Sequence, residues 1–303
     1  MVELEEILKM DDGHHVFVRI YKPDGTPKGN FHILHGMLEH GGRYEAFAQN
    51  IAEQGYFVTA HDHRGHGKTA EQNGQFGFFG EENGFHRVVE DVFEIVQHYS
   101  VDPQNQEIVL FGHSMGSFIA RRFVQLYGGL IDKCILCGTG ATTAFHLMGN
   151  ALARICSLQG KDVPSQLLNR LSFNSFSRSV LNPKTIYDWL CSNEEEVEKY
   201  IQDPYCGFIP TNQFFVDLTE GLLVINQKEE IKKIRKDLPV LLISGSEDPV
   251  GSSGAGVYKV AKGMNDAGMT DVAVYLFEGM RHEILKEINR KHVYSIITRW
   301  LNR

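Results

Sequence analysis

Long apolar runs are missing from this 303-residue chain: none approaches the roughly 18 residues that a membrane-spanning helix needs. The opening stretch, MVELEEILKMDDG, is acidic where a secretory leader would be basic and then apolar, so the cytoplasm is the expected compartment. Cysteine is scarce too, at five residues with no framework spacing, which suits thiols used as small core groups under reducing conditions. Positive charge is in deficit, 30 basic against 38 acidic side chains for a net −8, and this excludes nucleic acid as an expected partner. With 42% hydrophobic residues the chain is neither disordered nor of low complexity. At this length about three quarters of the unfolded surface can be buried, so no disulfide or structural metal is needed to hold the fold together.

What is present is an alternation of short apolar strands and amphipathic helices. Residues 3–23 form two alternating runs around Asp12-Gly13, a strong hairpin signal that predicts an antiparallel edge ribbon. FHILH (31–35), YFVTAHD (56–62), EIVLFG (107–112), KCILCG (133–138), PVLLISG (239–245) and VAVYLF (272–277) read as buried strands of a mostly parallel sheet. Phe85, Val88, Val89, Val92, Val96 and Tyr99 recur at steps of three and four, as do Val293, Ile296, Ile297, Trp300 and Leu301, giving helices packed on that sheet. KEEIKKIRK (228–236) reads as a solvated helix end with a Glu229 to Lys233 pair. Cys134 and Cys137 form a CxxC, but three residues along a strand point to opposite faces, which argues against a redox or metal role.

The alternation breaks between about 141 and 211, where no strand pattern survives and large apolar side chains abound. Several short helices folded over one end of the sheet are expected there, some of them lining a pocket.

Chemistry is carried first by FGHSMG, residues 111–116, a GxSxG between a strand and the helical stripe Ile119, Phe123, Leu126 and Tyr127. Such a turn presents Ser114 above the sheet edge, over the positive end of the next helix. A serine hydroxyl needs a base oriented by an acid, and in this architecture they follow in the order acid, then histidine. PVLLISG runs into SEDPVG, where Glu247 and Asp248 compete; Pro249 pins the turn and favours Asp248. Of fourteen histidines only His282 and His292 follow, and His292 lies inside the C-terminal helix, which leaves His282. The oxyanion donors are expected to be the backbone N–H groups of Met115, just after the serine, and Met37, just after the His35-Gly36 bend. His35, Glu39, His40, Asp62, His63 and His66 crowd the start of the fold with no standard zinc spacing, so a hydrogen-bonded scaffold bracing the oxyanion loop is expected instead of a metal site.

Together HGMLEHGGRY, DHRGHGKT, GHSMG, GSEDPVG and RHEIL resemble the monoacylglycerol lipase and lysophospholipase branch of the α/β-hydrolase superfamily. The resemblance implies an α/β-hydrolase core in two parts, 1–140 and 212–303, with 141–211 as a helical cap over an acyl tunnel. It implies a cofactor-free, metal-free carboxylic-ester hydrolase with Ser114, Asp248 and His282 as its triad, Asp248 in preference to Glu247, and Met37 and Met115 at the oxyanion hole. The expected substrate is a medium or long acyl ester, monoacylglycerol or lysophospholipid, reached through transient contact of the cap with a membrane surface. An amidase or peptidase on the same triad, and a non-catalytic binding protein, are the alternatives.

Overall fold

The computed structural model describes residues 2–100 and 106–303. Eight strands form one sheet: β1 (Val2–Lys9), β2 (His15–Lys22), β3 (Gly29–Leu34), β4 (Tyr56–His61), β5 (Glu107–His113), β6 (Lys133–Cys137), β7 (Val240–Gly245) and β8 (Val272–Phe277). Their spatial order is β1-β2-β4-β3-β5-β6-β7-β8. The ribbon turning at Asp12-Gly13 pairs Lys9 with His15, and β2 joins β4 antiparallel; every later pairing is parallel. This is the α/β-hydrolase fold that the sequence pattern and the resemblance imply.

Alternation along the central strands divides the core in two. Leu110, Cys134, Leu136 and Leu242 face the helices Gly84–Tyr99, Met115–Tyr127 and Ala255–Asp266, while Phe111, Ile135, Cys137 and Ile243 face Glu45–Glu53 and Arg290–Leu301. Cys134 and Cys137 therefore lie on opposite faces as buried free thiols, and burial pushes the Cys134 thiol up to about 12. In the helix Gly84–Tyr99 the whole anticipated stripe is buried. In the C-terminal helix Val293, Ile297, Trp300 and Leu301 are buried and Ile296 is half-buried.

One expectation is corrected at the surface. Lys233 closes a helix of only five residues, Lys228–Lys232, and its ammonium reaches Glu230 at 2.7 Å, while Glu229 takes Lys232 at 2.9 Å. In so short a helix the three-residue neighbours meet, and the Glu229 to Lys233 pair does not form.

Between β6 and β7 lie the cap helices Ala144–Ser157, Gln166–Ser177 and Glu194–Gln202. Asn212–Ile225 follows, buried almost all round because it packs on the cap helix Ala144–Ser157 as well as on Gly84–Tyr99 and Met115–Tyr127. Within it Asp217 is 1% exposed. Its Oδ1 accepts the Gly84 N–H at 3.2 Å and Gln213 at 2.9 Å, and its Oδ2 has no partner among the described residues. Burial raises this carboxyl to about 7. A carboxyl raised on folding costs stability as pH rises from its unfolded value towards 7, and the full cost remains above that. Asp217→Asn is accordingly expected to raise the unfolding midpoint by about 2–4 °C at pH 8 and by less at pH 5, as read by differential scanning calorimetry.

Candidate active site

β5 ends in a turn that holds Ser114 at φ 51° and ψ −119°, and the helix Met115–Tyr127 starts at the next residue. A side chain is tolerated in this left-handed region only under constraint. Here the Ser114 N–H donates to Cys137 O at 2.9 Å, and the Ser114 carbonyl accepts the Ser117 N–H at 2.8 Å and the Ser117 hydroxyl at 2.6 Å. The flanking glycines are required by contact: a Cβ on Gly112 would stand 2.3 Å from Gly116 O, and one on Gly116 2.1 Å from Leu34 O.

Asp248 lies three residues past β7 and is fully buried, whereas Glu247 is exposed. Asp248 Oδ1 receives His282 Nδ1 at 2.9 Å and the Val250 N–H at 2.9 Å, and Oδ2 receives the Ser244 hydroxyl at 2.8 Å. Those donors outweigh burial and hold the carboxyl below its ordinary value. His282, past β8, is 2% exposed, and the Trp189 ring packs on its imidazole at 5.1 Å between centroids. The rival His292 is on the C-terminal helix, bonded to Tyr275 at 3.1 Å.

Ser114 and His282 border one cavity of about 530 Å³, together with Met37 and Met115. Neither the Met37 nor the Met115 N–H donates to another group among the described residues. The Met37 loop is held by its neighbours. Glu39 Oε1 accepts the Gly36 N–H at 2.6 Å and the Tyr44 hydroxyl at 2.7 Å. Leu38 has φ 57°, and its carbonyl is clamped by the Tyr200 hydroxyl at 3.0 Å and the Gly207 N–H at 3.1 Å, both from the insertion. Phe145, Met148, Leu152, Leu168, Leu171, Phe215, Leu218 and Leu222 line the rest of the cavity.

The crowded histidines form the scaffold that their spacing suggested. His35 Nε2 accepts the His63 N–H at 2.9 Å while Nδ1 meets Gly36 O at 2.7 Å, which fixes the neutral tautomer. Asp62 gathers Arg19, the Gly41 N–H and the Lys68 N–H. The His40, Asp203 and Cys206 ligand atoms lie within 4.8 Å of one another. Because His40 Nδ1 accepts the Gly42 N–H, Nε2 carries the hydrogen and donates it to Asp203 at 2.9 Å, and burial raises the Cys206 thiol. This trio is a hydrogen-bonded clasp between loop and insertion.

Sequence reasoning missed Ser244, the contact of Trp189 with His282, and the joining of Glu39 to Arg43 and Glu283 in one buried group. Arg43 bonds Glu39 at 2.6 Å and Glu283 Oε2 at 2.8 Å. Ser244 was discernible as the one polar side chain in PVLLISG, four residues before Asp248. Nothing local to Trp189 announces that it will cover His282.

Fold, elbow and cavity define an α/β-hydrolase with a serine at its strand-to-helix turn. The chain belongs to the family described as serine aminopeptidase, S33, whose model matches residues 25–289. It is 28% identical to the human monoglyceride lipase over 96% of this chain and 88% of that one. It is 26% identical to the monoacylglycerol lipase of Mycolicibacterium smegmatis over 95% and 93%. Among solved structures it is similar to a thermostable carboxyl esterase from Bacillus coagulans, at TM-score 0.91 and 29% identity, covering 100% of this chain and 98% of that one.

Burial holds the core imidazoles neutral: it lowers His61 to about 3 and His66 to about 4, and His35 and His63 well below 6.5. The unfolded chain binds these protons first, so the stability they contribute is complete above about pH 6.5 and is lost as pH falls towards 4. The unfolding midpoint is expected to drop steadily between pH 6.5 and 4, and His61→Asn to flatten that slope in a pH-stepped melting series.

Proposed function

We propose that the protein is a serine hydrolase that cleaves carboxylic esters of medium or long acyl chains, with monoacylglycerol or lysophospholipid as its substrate class. The observation that carries this reading is the shared cavity, bordered by Ser114, His282, Met37 and Met115, with apolar side chains of the insertion and of the helix Asn212–Ile225 around the rest. In the proposed cycle Ser114 Oγ attacks the ester carbonyl while His282 Nε2 takes its proton. Asp248 keeps the imidazole in the Nδ1–H tautomer and stabilises its charged form. The two amides donate to the oxyanion. His282 returns the proton to the departing alcohol, and water repeats the sequence on the acyl-enzyme.

Relatives named as monoglyceride lipases and a carboxyl esterase support the ester reading over the peptidase one suggested by the family's description. A peptidase that grips a free amino terminus needs an unpaired carboxylate beside the serine, and both carboxylates that border the cavity, Glu39 and Glu283, are bonded to Arg43. Complete elbow, acid and base positions weigh against a non-catalytic binding protein. The five free cysteines accord with the cytoplasm as the proposed compartment. No helix among the described residues is long and apolar enough to cross a membrane.

A fluorophosphonate probe is expected to add covalently to the native chain and not to Ser114→Ala, and intact-mass spectrometry reads the difference; equal labelling of both removes the proposal. Rates on p-nitrophenyl esters should rise from the acetyl to the decanoyl chain, with aminoacyl amides untouched.

Lipid access is proposed through the rim of the insertion, where Leu147 is 61% and Leu158 86% exposed. With a net charge of −8 the attraction is apolar, not electrostatic. Leu147→Ser combined with Leu158→Ser is expected to weaken co-sedimentation with phosphatidylcholine vesicles about tenfold and to leave hydrolysis of a soluble butyryl ester unchanged.

A further inference from the structure

His113, the residue before Ser114, is 4% exposed and sits between two groups that only accept hydrogen bonds. Its Nδ1 faces Glu39 Oε1 and its Nε2 faces the His282 carbonyl oxygen, each at 3.3 Å. Glu39 is ionised, because its oxygens also receive the Gly36 N–H, the Tyr44 hydroxyl and Arg43. With no hydrogen available from either neighbour, the two ring nitrogens are both paired only when each carries its own. The charge count agrees. Glu39 and Glu283 against Arg43 leave one negative charge over, and an imidazolium at 113 closes the set.

Other titratable groups stand close by. Lys286 borders a small pocket lined also by Glu39, Arg43, His113 and Glu283, with its ammonium 3.6 Å from Glu196, a carboxylate it shares with Lys199. Burial keeps the Tyr44 hydroxyl and the Cys137 thiol neutral. Asp248 stands beyond the His282 ring, already bonded to it. The hydrogen bond and charge of Glu39 oppose desolvation and raise His113 above its ordinary value.

The His113 and His282 rings lie 4.7 Å apart between centroids. We propose that His113 is a positioning residue, held as an imidazolium by the Glu39–Arg43–Glu283 group, which fixes the His282 loop through its carbonyl and sets a positive charge beside the His282 ring. A cation at this distance opposes a second positive charge on His282 until an oxyanion forms beside it. It also joins the oxyanion loop, through Glu39, to the loop that carries the base. The inference rests on His282 being the general base of the proposed hydrolysis.

Removing the cation leaves a net negative group beside His282, so His113→Asn is expected to move the acid limb of the kcat/KM profile upward by about one pH unit and to lower kcat more than it changes KM. Adding Glu283→Gln restores neutrality and should bring the limb back. An acid limb that stays put in His113→Asn overturns the inference, as does one that fails to return in the double variant. A readout independent of turnover is the ring nitrogen NMR of His113 in Ser114→Ala at pH 8. Two protonated nitrogens are expected, and a neutral pattern with one bare nitrogen overturns the inference even if His113→Asn does not fold. Failure of the fluorophosphonate to label Ser114 would sink the hydrolase reading instead, so the two failures are distinguishable.

Discussion

The structure is arranged around one backbone turn that a normal side chain resists. Holding Ser114 at φ 51° costs on the order of 1–3 kcal/mol, and the cost is met by close packing of bare backbone. Gly116 rides against the Leu34 and His35 carbonyls and Gly112 against Gly116, while the Ser114 amide is anchored on β6. A turn so closely backed has one direction in which to present its side chain, away from the sheet and into the space under the insertion. The helix that starts at Met115 then lies with its positive end at the same point. Sheet order matters for the same reason: β3 and β6 flank β5, so the loops after all three reach one place.

Most of this was legible because it is local. Strand runs, helical stripes and GxSxG each declare themselves within a few residues, and chain order isolates His282 from the other histidines. The acid was harder, since Glu247 and Asp248 differ in sequence only by the proline that follows. Burial separates them in the structure, with Asp248 enclosed and its Oδ2 filled by Ser244. What could not be read depends on partners far apart in the chain. Glu39 and Arg43 are recognisable as neighbours four apart, but Glu283, 240 residues on, turns the pair into a closed group. Leu38 gives no sign of its left-handed backbone, because the hydrogen bonds that hold it come from Tyr200 and Gly207.

The insertion has two characters. Its later part is tied to the core: Trp189 and Leu190 carbonyls accept the His282 and Glu283 amides, Arg281 reaches the Asp188 and Cys191 carbonyls, and Ser192 bonds Glu287. Its earlier part, the helices Ala144–Ser157 and Gln166–Ser177, carries Phe145, Met148, Ile155, Leu167 and Leu171 with large exposed apolar surface. Precision near the reacting groups and apolar surface near the entrance are therefore supplied by different segments. This explains why the insertion reads in sequence as greasy but without pattern, since few of its side chains answer to a regular sheet face.

Buried charge beside the cavity is weak evidence for stability, because apolar groups of the same shape often serve as well or better. Its value lies in direction. Glu39 accepts the Gly36 N–H, so the bend before Met37 is set by a carboxylate that cannot rotate without losing Tyr44 and Arg43 as well. Arg43 carries the same constraint to Glu283, whose backbone is shared with His282. The guanidinium also lies over the Tyr200 ring at 4.8 Å, next to the hydroxyl that holds Leu38. Two loops that meet nowhere in sequence are thus referred to a single planar cation. A rigid planar fork with several donors can serve both carboxylates and the ring at once, and a lysine at position 43, with its freely rotating point charge, could not.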